Sequence, residues 1–131
     1  RKKQEREEEE AEARRPPLEI MRIYMSRNSI DVPEINIRVR NTKDRVIDAF
    51  EVNVIAFDAY DRKVSRFGDG VFNGISQSHT ISPGQSRLVT WTLHELENGR
   101  KFKLTLIPVH LTDGSVWRPS SDQDVSQWAR F

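Results

Sequence analysis

Cysteine is absent from this chain, which removes thiolate catalysis, zinc–thiolate centres and disulfide bridges. Histidine is scarce: His79, His94 and His110 stand fifteen and sixteen positions apart, which matches no compact metal-ligand motif. Ser76, Ser78 and Ser86 have no Gly-x-Ser-x-Gly elbow around them, and no glycine-rich phosphate loop opens a helix. A large charge excess is missing too. The 21 basic residues nearly balance 20 acidic ones, so there is no global electrostatic footprint for nucleic acid or an anionic membrane. No apolar run approaches the roughly 20 residues that cross a bilayer. These absences predict a chain that is not an enzyme and carries no cofactor.

What is present begins with a charged head. "RKKQEREEEEAEARR" holds six basic and six acidic side chains, with Ala11 and Ala13 as its nonpolar members. Its composition favours helix, and Lys3–Glu7, Arg6–Glu10 and Glu10–Arg14 would be opposite-charge neighbours four apart. With no apolar stripe it forms neither a coiled-coil seam nor a core helix. Pro16 and Pro17 end it. Residues 1–17 therefore read as a solvated spacer, helical or disordered. The chain opens on arginine rather than methionine, which points to a fragment or processed form whose missing part could hold an export signal or anchor.

From Leu18 the pattern changes to strands. "LEIMRIYM" is apolar on both parities, as in a strand covered on two sides. In "PEINIRVRN", Ile35, Ile37 and Val39 alternate with Asn36, Arg38 and Arg40, the mark of a half-buried strand. Phe50, Val52, Val54 and Ala56 share one parity, and Ile55 with Phe57 begins to fill the other, which predicts a central strand covered near its end or bulged. "FNGISQSHTISPGQSRLVTWTL" reads as a short strand, a turn at "SPGQ" and a second strand carrying Val89, Trp91 and Leu93. Phe102, Leu104 and Leu106 alternate next; His110 shares their parity, and Pro108 predicts a bulge or sheet edge. "DG" at 113–114 predicts a two-residue hairpin into Val116 and Trp117. About seven short strands without an amphipathic helix between them predict an antiparallel, immunoglobulin-like β-sandwich over residues 18–119, followed by a tail at 120–131.

The ordered set "DAF", "ISPGQS", "W-x-L" and "DG-x-x-W", within "IDAFEVNVIAFDAYDRKV", "FNGISQSHTISPGQSRLVTWTL" and "VHLTDGSVWRP", resembles a family of bacterial immunoglobulin-like domains of unassigned function. Its members occur mainly in exported or membrane-anchored proteins of Gram-positive bacteria. The resemblance implies an extracytoplasmic β-sandwich behind a charged linker and brings no catalytic residues.

Candidate contact residues remain. Asp58, Asp61 and Asp69 could share a calcium ion at one end of the sandwich, although aspartate and glycine are ordinary turn residues. Trp91 reads as core. Trp117 and Trp128 are the candidate ligand-contact aromatics; Trp128 and Phe131 either pack back on the body or form an exposed handle. The expected function is a non-enzymatic interaction or spacer domain at a bacterial surface, with a protein or cell-wall polymer as partner and membrane contact only through a segment outside this chain. The alternatives are a carbohydrate-binding module, for which two coplanar exposed rings would speak, and an accessory domain of a larger hydrolase.

Overall fold

The computed structural model describes residues 2–64, 71–77, 80–94, 96–119 and 126–131. Helix α1 (Lys2–Arg14) comes first, and its residues 2–10 are exposed. Pro17 is buried, and its carbonyl accepts from the Thr42 amide at 2.9 Å, so the chain is tied to the body where the helix ends. Eight strands follow: β1 (Leu18–Arg27), β2 (Pro33–Asn41), β3 (Ile47–Phe57), β4 (Val71–Ser76), β5 (Ser86–Thr92), β6 (Lys101–Leu111), β7 (Val116–Trp117) and β8 (Ser126–Arg130).

They form an antiparallel, immunoglobulin-like sandwich. One sheet has three strands in the order β1-β2-β5; the other has five, in the order β4-β3-β6-β7, with β8 also on β6. The fourth strand pairs with the third and not with the first sheet. β7 and β8 share one edge of β6: β7 takes Val109 and His110, and β8 takes Lys101 to Thr105. The tail thus returns to the sheet, which explains eight strands where about seven were expected.

The alternation in β2 and β3 places their apolar parity inward. Ile35, Ile37 and Val39 face Phe50, Val52, Val54 and Ala56, joined by Phe102, Leu104 and Leu106, all essentially inaccessible. Each of these side chains other than Ala56 contributes about 1.5–3 kcal/mol by leaving water. β3 lies between β4 and β6, the central position its doubled pattern predicts.

Three strands change parity at bulges: β3 at Asp48, which leaves both Ile47 and Phe50 buried, and β1 and β6. In β1 the register shifts between Ile20 and Arg22. Met21 is left out and half exposed, while Ile20, Ile23 and Met25 all pack on the core. The apolar residues on both parities of β1 therefore come from a bulge, not from cover on two sides. In β6 the pairings Val52↔Leu106 and Phe50↔Val109 leave Ile107 and Pro108 opposite one residue, the bulge that the proline predicts. Past it Val109 takes the core position, so His110 does not share the inward face of Leu104 and Leu106.

The β6–β7 turn also departs from expectation. Leu111 N donates to Ser115 O and Gly114 N to Leu111 O, each at 3.0 Å, giving a three-residue loop over 112–114. A two-residue type I′ turn needs positive φ at both central positions; Gly114 has φ 89° and Asp113 does not.

Candidate functional site

The segment between β4 and β5 is the first place to look for chemistry. His79 and Ser78 lie outside the described residues. The described part is a strand connection. Gln85 N donates to Ser82 O at 2.9 Å around Pro83 and Gly84, whose φ is 79°, as a proline–glycine type II turn requires. Ile81 is buried and exchanges two backbone hydrogen bonds with Ile47. Beneath the loop Asn41 is 1% exposed. Its Nδ2 donates to Arg45 O at 2.7 Å and Ile81 O at 2.9 Å, and its Oδ1 accepts from Lys43 N. Buried amides are retained when satisfied in this way, and Asn41 thereby clamps two loops together. His94 is exposed and His110 half-buried on the outer side of β6. Among the described residues no three His, Asp or Glu side chains converge as metal ligands.

Asp58 and Asp61 have a turn's geometry. Asp58 Oδ1 accepts from Tyr60 N at 2.9 Å and Arg62 N at 3.0 Å, while Oδ2 faces Arg62 Nε at 3.3 Å. These bonds to Arg62 and Tyr60, with the guanidinium charge, hold the Asp58 carboxyl below its ordinary range. Asp61 closes the loop with φ 59° and sets its Oδ1 3.1 Å from Lys101 Nζ. The β1–β2 turn repeats the arrangement: Asn28 Oδ1 accepts from Ile30 N and Val32 N, and Asp31 has φ 63°. Local side-chain bonding of this kind is what Asx residues supply at turns. Asp69 lies outside the described residues.

The three tryptophans divide. Trp91 points into the sandwich and packs on the core, edge to face with Phe50 at 6.1 Å and 84°. It sits over Gly74 of the opposite sheet. A Cβ there would lie 2.8 Å from the indole, so Gly74 makes room for the ring. Trp117 stands opposite Val109, half-buried against the core. Trp128 stands opposite Lys103 on the outer face, 48% exposed. Trp117 and Trp128 therefore lie on opposite faces of the five-stranded sheet and make no shared platform for a sugar.

Around Trp128 the sheet assembles a surface that sequence reasoning did not find. Its ring meets that of Phe57 at 5.6 Å with a 42° tilt. Lys101 lies between them in the ladder: it pairs with Phe57, and its ammonium sits 4.8 Å from the Trp128 ring centre. Lys103 Nζ approaches the same ring to 5.7 Å. Each such cation–π contact is worth about 0.5–1 kcal/mol at an exposed site. Thr105 and Ser126 continue the row, their hydroxyls 2.8 Å apart. The sequence signal was half there: Phe57 fills the second parity of β3, and Lys101 and Lys103 alternate with the core residues of β6. Phe131 meets Phe102 edge to face at 5.9 Å, and Arg27 covers its ring at 4.1 Å, so the tail both packs back and leaves an exposed handle. Flat aromatic area flanked by ammonium groups suits a partner that offers apolar surface edged with carboxylates.

No protein-family model matches the sequence, and no curated protein matches it. Among solved structures, a hypothetical protein of Peptoclostridium difficile 630 is similar with a TM-score of 0.58, at 14% identity over 82% of this chain and 88% of its own. A Bordetella pertussis protein titled ApaA is similar with a TM-score of 0.51, at 11% identity over 85% of this chain and 90% of its own. At such identities the likeness establishes the sandwich fold and carries no activity across. Among the described residues no helix is long and apolar enough to cross a membrane.

Proposed function

We propose that this chain is a non-enzymatic, extracytoplasmic interaction domain of a bacterial surface protein. In this reading α1 is a spacer, and the outer face around Phe57 and Trp128 receives a protein partner. The supporting observation is Trp128 itself: a large ring left 48% exposed on a sheet face, held by Phe57 and two lysines. Tryptophan is a frequent anchor of binding energy at interfaces, and a rim of cations sets orientation and encounter rate. Asp58 and Asp61 are accounted for by their turn and Trp91 by its packing, so neither adds a reaction to the reading.

The test is in vivo photo-crosslinking from position 103 of the full-length surface protein, with Trp128→Ala as the comparison. One crosslinked protein, lost in the alanine variant while that variant still folds, is the expected result. Equal crosslinking with and without the indole overturns the reading. So does turnover of a sugar, peptide or phosphate ester by the purified chain.

A further inference from the structure

The outer face of the three-stranded sheet has a different chemistry. Arg22 of β1 stands directly across from Arg38 of β2, and Arg40 follows two residues along the same face. Like charges set opposite one another across a ladder are destabilising. Among the described residues these three arginines form no salt bridge, although Arg22 lies 4.7 Å over the Tyr24 ring. Glu19 stands across from Arg40 and offsets one end of the row. Arg38 has the exposed Leu88 on its other side.

The platform beneath is well fixed. Asn36, 6% exposed, donates to Ser26 Oγ at 2.9 Å and accepts from Thr90 Oγ1 at 2.7 Å, tying all three strands together. Arg38 and Arg40 are two residues apart in a strand, about 6.6–6.8 Å. Arg22 and Arg38 are directly opposite, about 4.5–5.5 Å apart at Cβ. Three guanidinium groups are thus presented in a short bent row, two along β2 and one beside them on β1, each able to grip a phosphate through two parallel N–H donors.

We propose that this row binds a linear, base-free phosphodiester polymer, of which poly(glycerol phosphate) is the simplest case. A three-carbon diester repeats on the scale of two strand residues, so neighbouring phosphates meet Arg38 and Arg40 along β2, and Arg22, across the ladder from Arg38, takes a third. A single-stranded nucleic acid carries the same charges but is held largely by bases stacking on open rings. Here the Tyr24 ring is already covered by Arg22. This face is the reverse of the sandwich from Trp128, so the two proposals fail independently.

The experiment is an amide-shift and anisotropy titration of the whole chain with a labelled poly(glycerol phosphate) oligomer. Shifts should centre on residues 22, 38, 40 and 88. The plot of log K against log salt should slope near −2, for three neutralised phosphates at about 0.7 each. The combined variant Arg22→Gln, Arg38→Gln, Arg40→Gln should bind at least tenfold more weakly while melting at or above the parent temperature. Arg38→Lys, which keeps the charge and loses the two-pronged grip, should bind more weakly than the parent and more tightly than the triple variant, and Trp128→Ala should keep all of the affinity. Unchanged binding by the triple variant overturns the proposal. Equal or tighter binding of an oligo(dT) strand overturns it in favour of nucleic acid, and the same result with hyaluronate in favour of a carboxylate polymer.

Discussion

Two edge strands each carry a tryptophan, and the two rings face opposite ways. Trp91 on β5 turns inward and bridges the sheets, its ring perpendicular to that of Phe50 and close over Gly74. Trp128 on β8 turns outward and rests on Phe57 among lysine side chains. Both make aromatic contacts at about the same range, yet they belong to different problems. The inward ring fills space that would otherwise be a void in a close-packed interior. The outward ring covers little, and its solvent-facing half is free for a partner.

The contrast can be broken most severely at Trp91. Trp91→Ala should cost about 3 kcal/mol, the lower end for truncating a large aromatic, because the ring is half-buried. Urea unfolding measures it, and a loss below about 1 kcal/mol would make the inward ring no more structural than the outward one. Gly74→Val attacks the same contact from the other sheet and should cost about 1–3 kcal/mol by overpacking. In a Trp91→Ala background much of that penalty should vanish, since the nearest clash is with the indole, while the contact with Val52 Cγ2 at 3.0 Å stays; a double-mutant cycle reads the coupling. An additive result would show that the backbone at Gly74, not the ring, sets the cost.

Trp128→Ala should lower stability by about 1 kcal/mol or less, the sum of exposed cation–π contacts and part of one ring pair. A loss equal to that at Trp91 would make it a core residue and remove it as a contact residue. The turn at Asp58 should respond to acid. Its folded pKa lies below the ordinary value, so its contribution is complete above the unfolded carboxylate range and is lost as pH falls through the lowered one. Asp58→Asn keeps the acceptor for Tyr60 N and Arg62 N, as Asn28 does in the sister turn. The melting temperature of this variant should therefore fall less steeply with acid than that of the parent. The smallest effect belongs to α1: deleting residues 1–14 should leave the melting midpoint within about a degree, as its described side chains are exposed. A larger drop would mean that the helix docks on the body.

Much of the scaffold was legible along the chain. Where a strand runs straight, as in β2, side chains alternate strictly and Ile35, Ile37 and Val39 declare the buried face. Pro108 announced its bulge because it has no N–H for the ladder. The consequence of a bulge was harder to read. One extra residue inverts the parity of everything after it, so His110 turned outward and Met21 dropped out of the face that Ile20 and Ile23 share. A bulge exists only between paired strands, and the pairing partner is remote in sequence.

The candidate surfaces depend on the same remote information. Phe57, Lys101 and Trp128 come from β3, β6 and β8, and Arg22 meets Arg38 only across a ladder. By itself the sequence determined the all-β character, a charged head without an apolar stripe, the turn chemistry at Pro83–Gly84 and Asp58, and the core parities of the regular strands, because these follow from local propensity and period two. Tertiary structure alone decided which face each tryptophan occupies, why Gly74 is glycine, and where arginines and lysines gather. Those outcomes are set by register and by which strands become neighbours, and contacts between residues far apart in the chain leave no periodic trace in it.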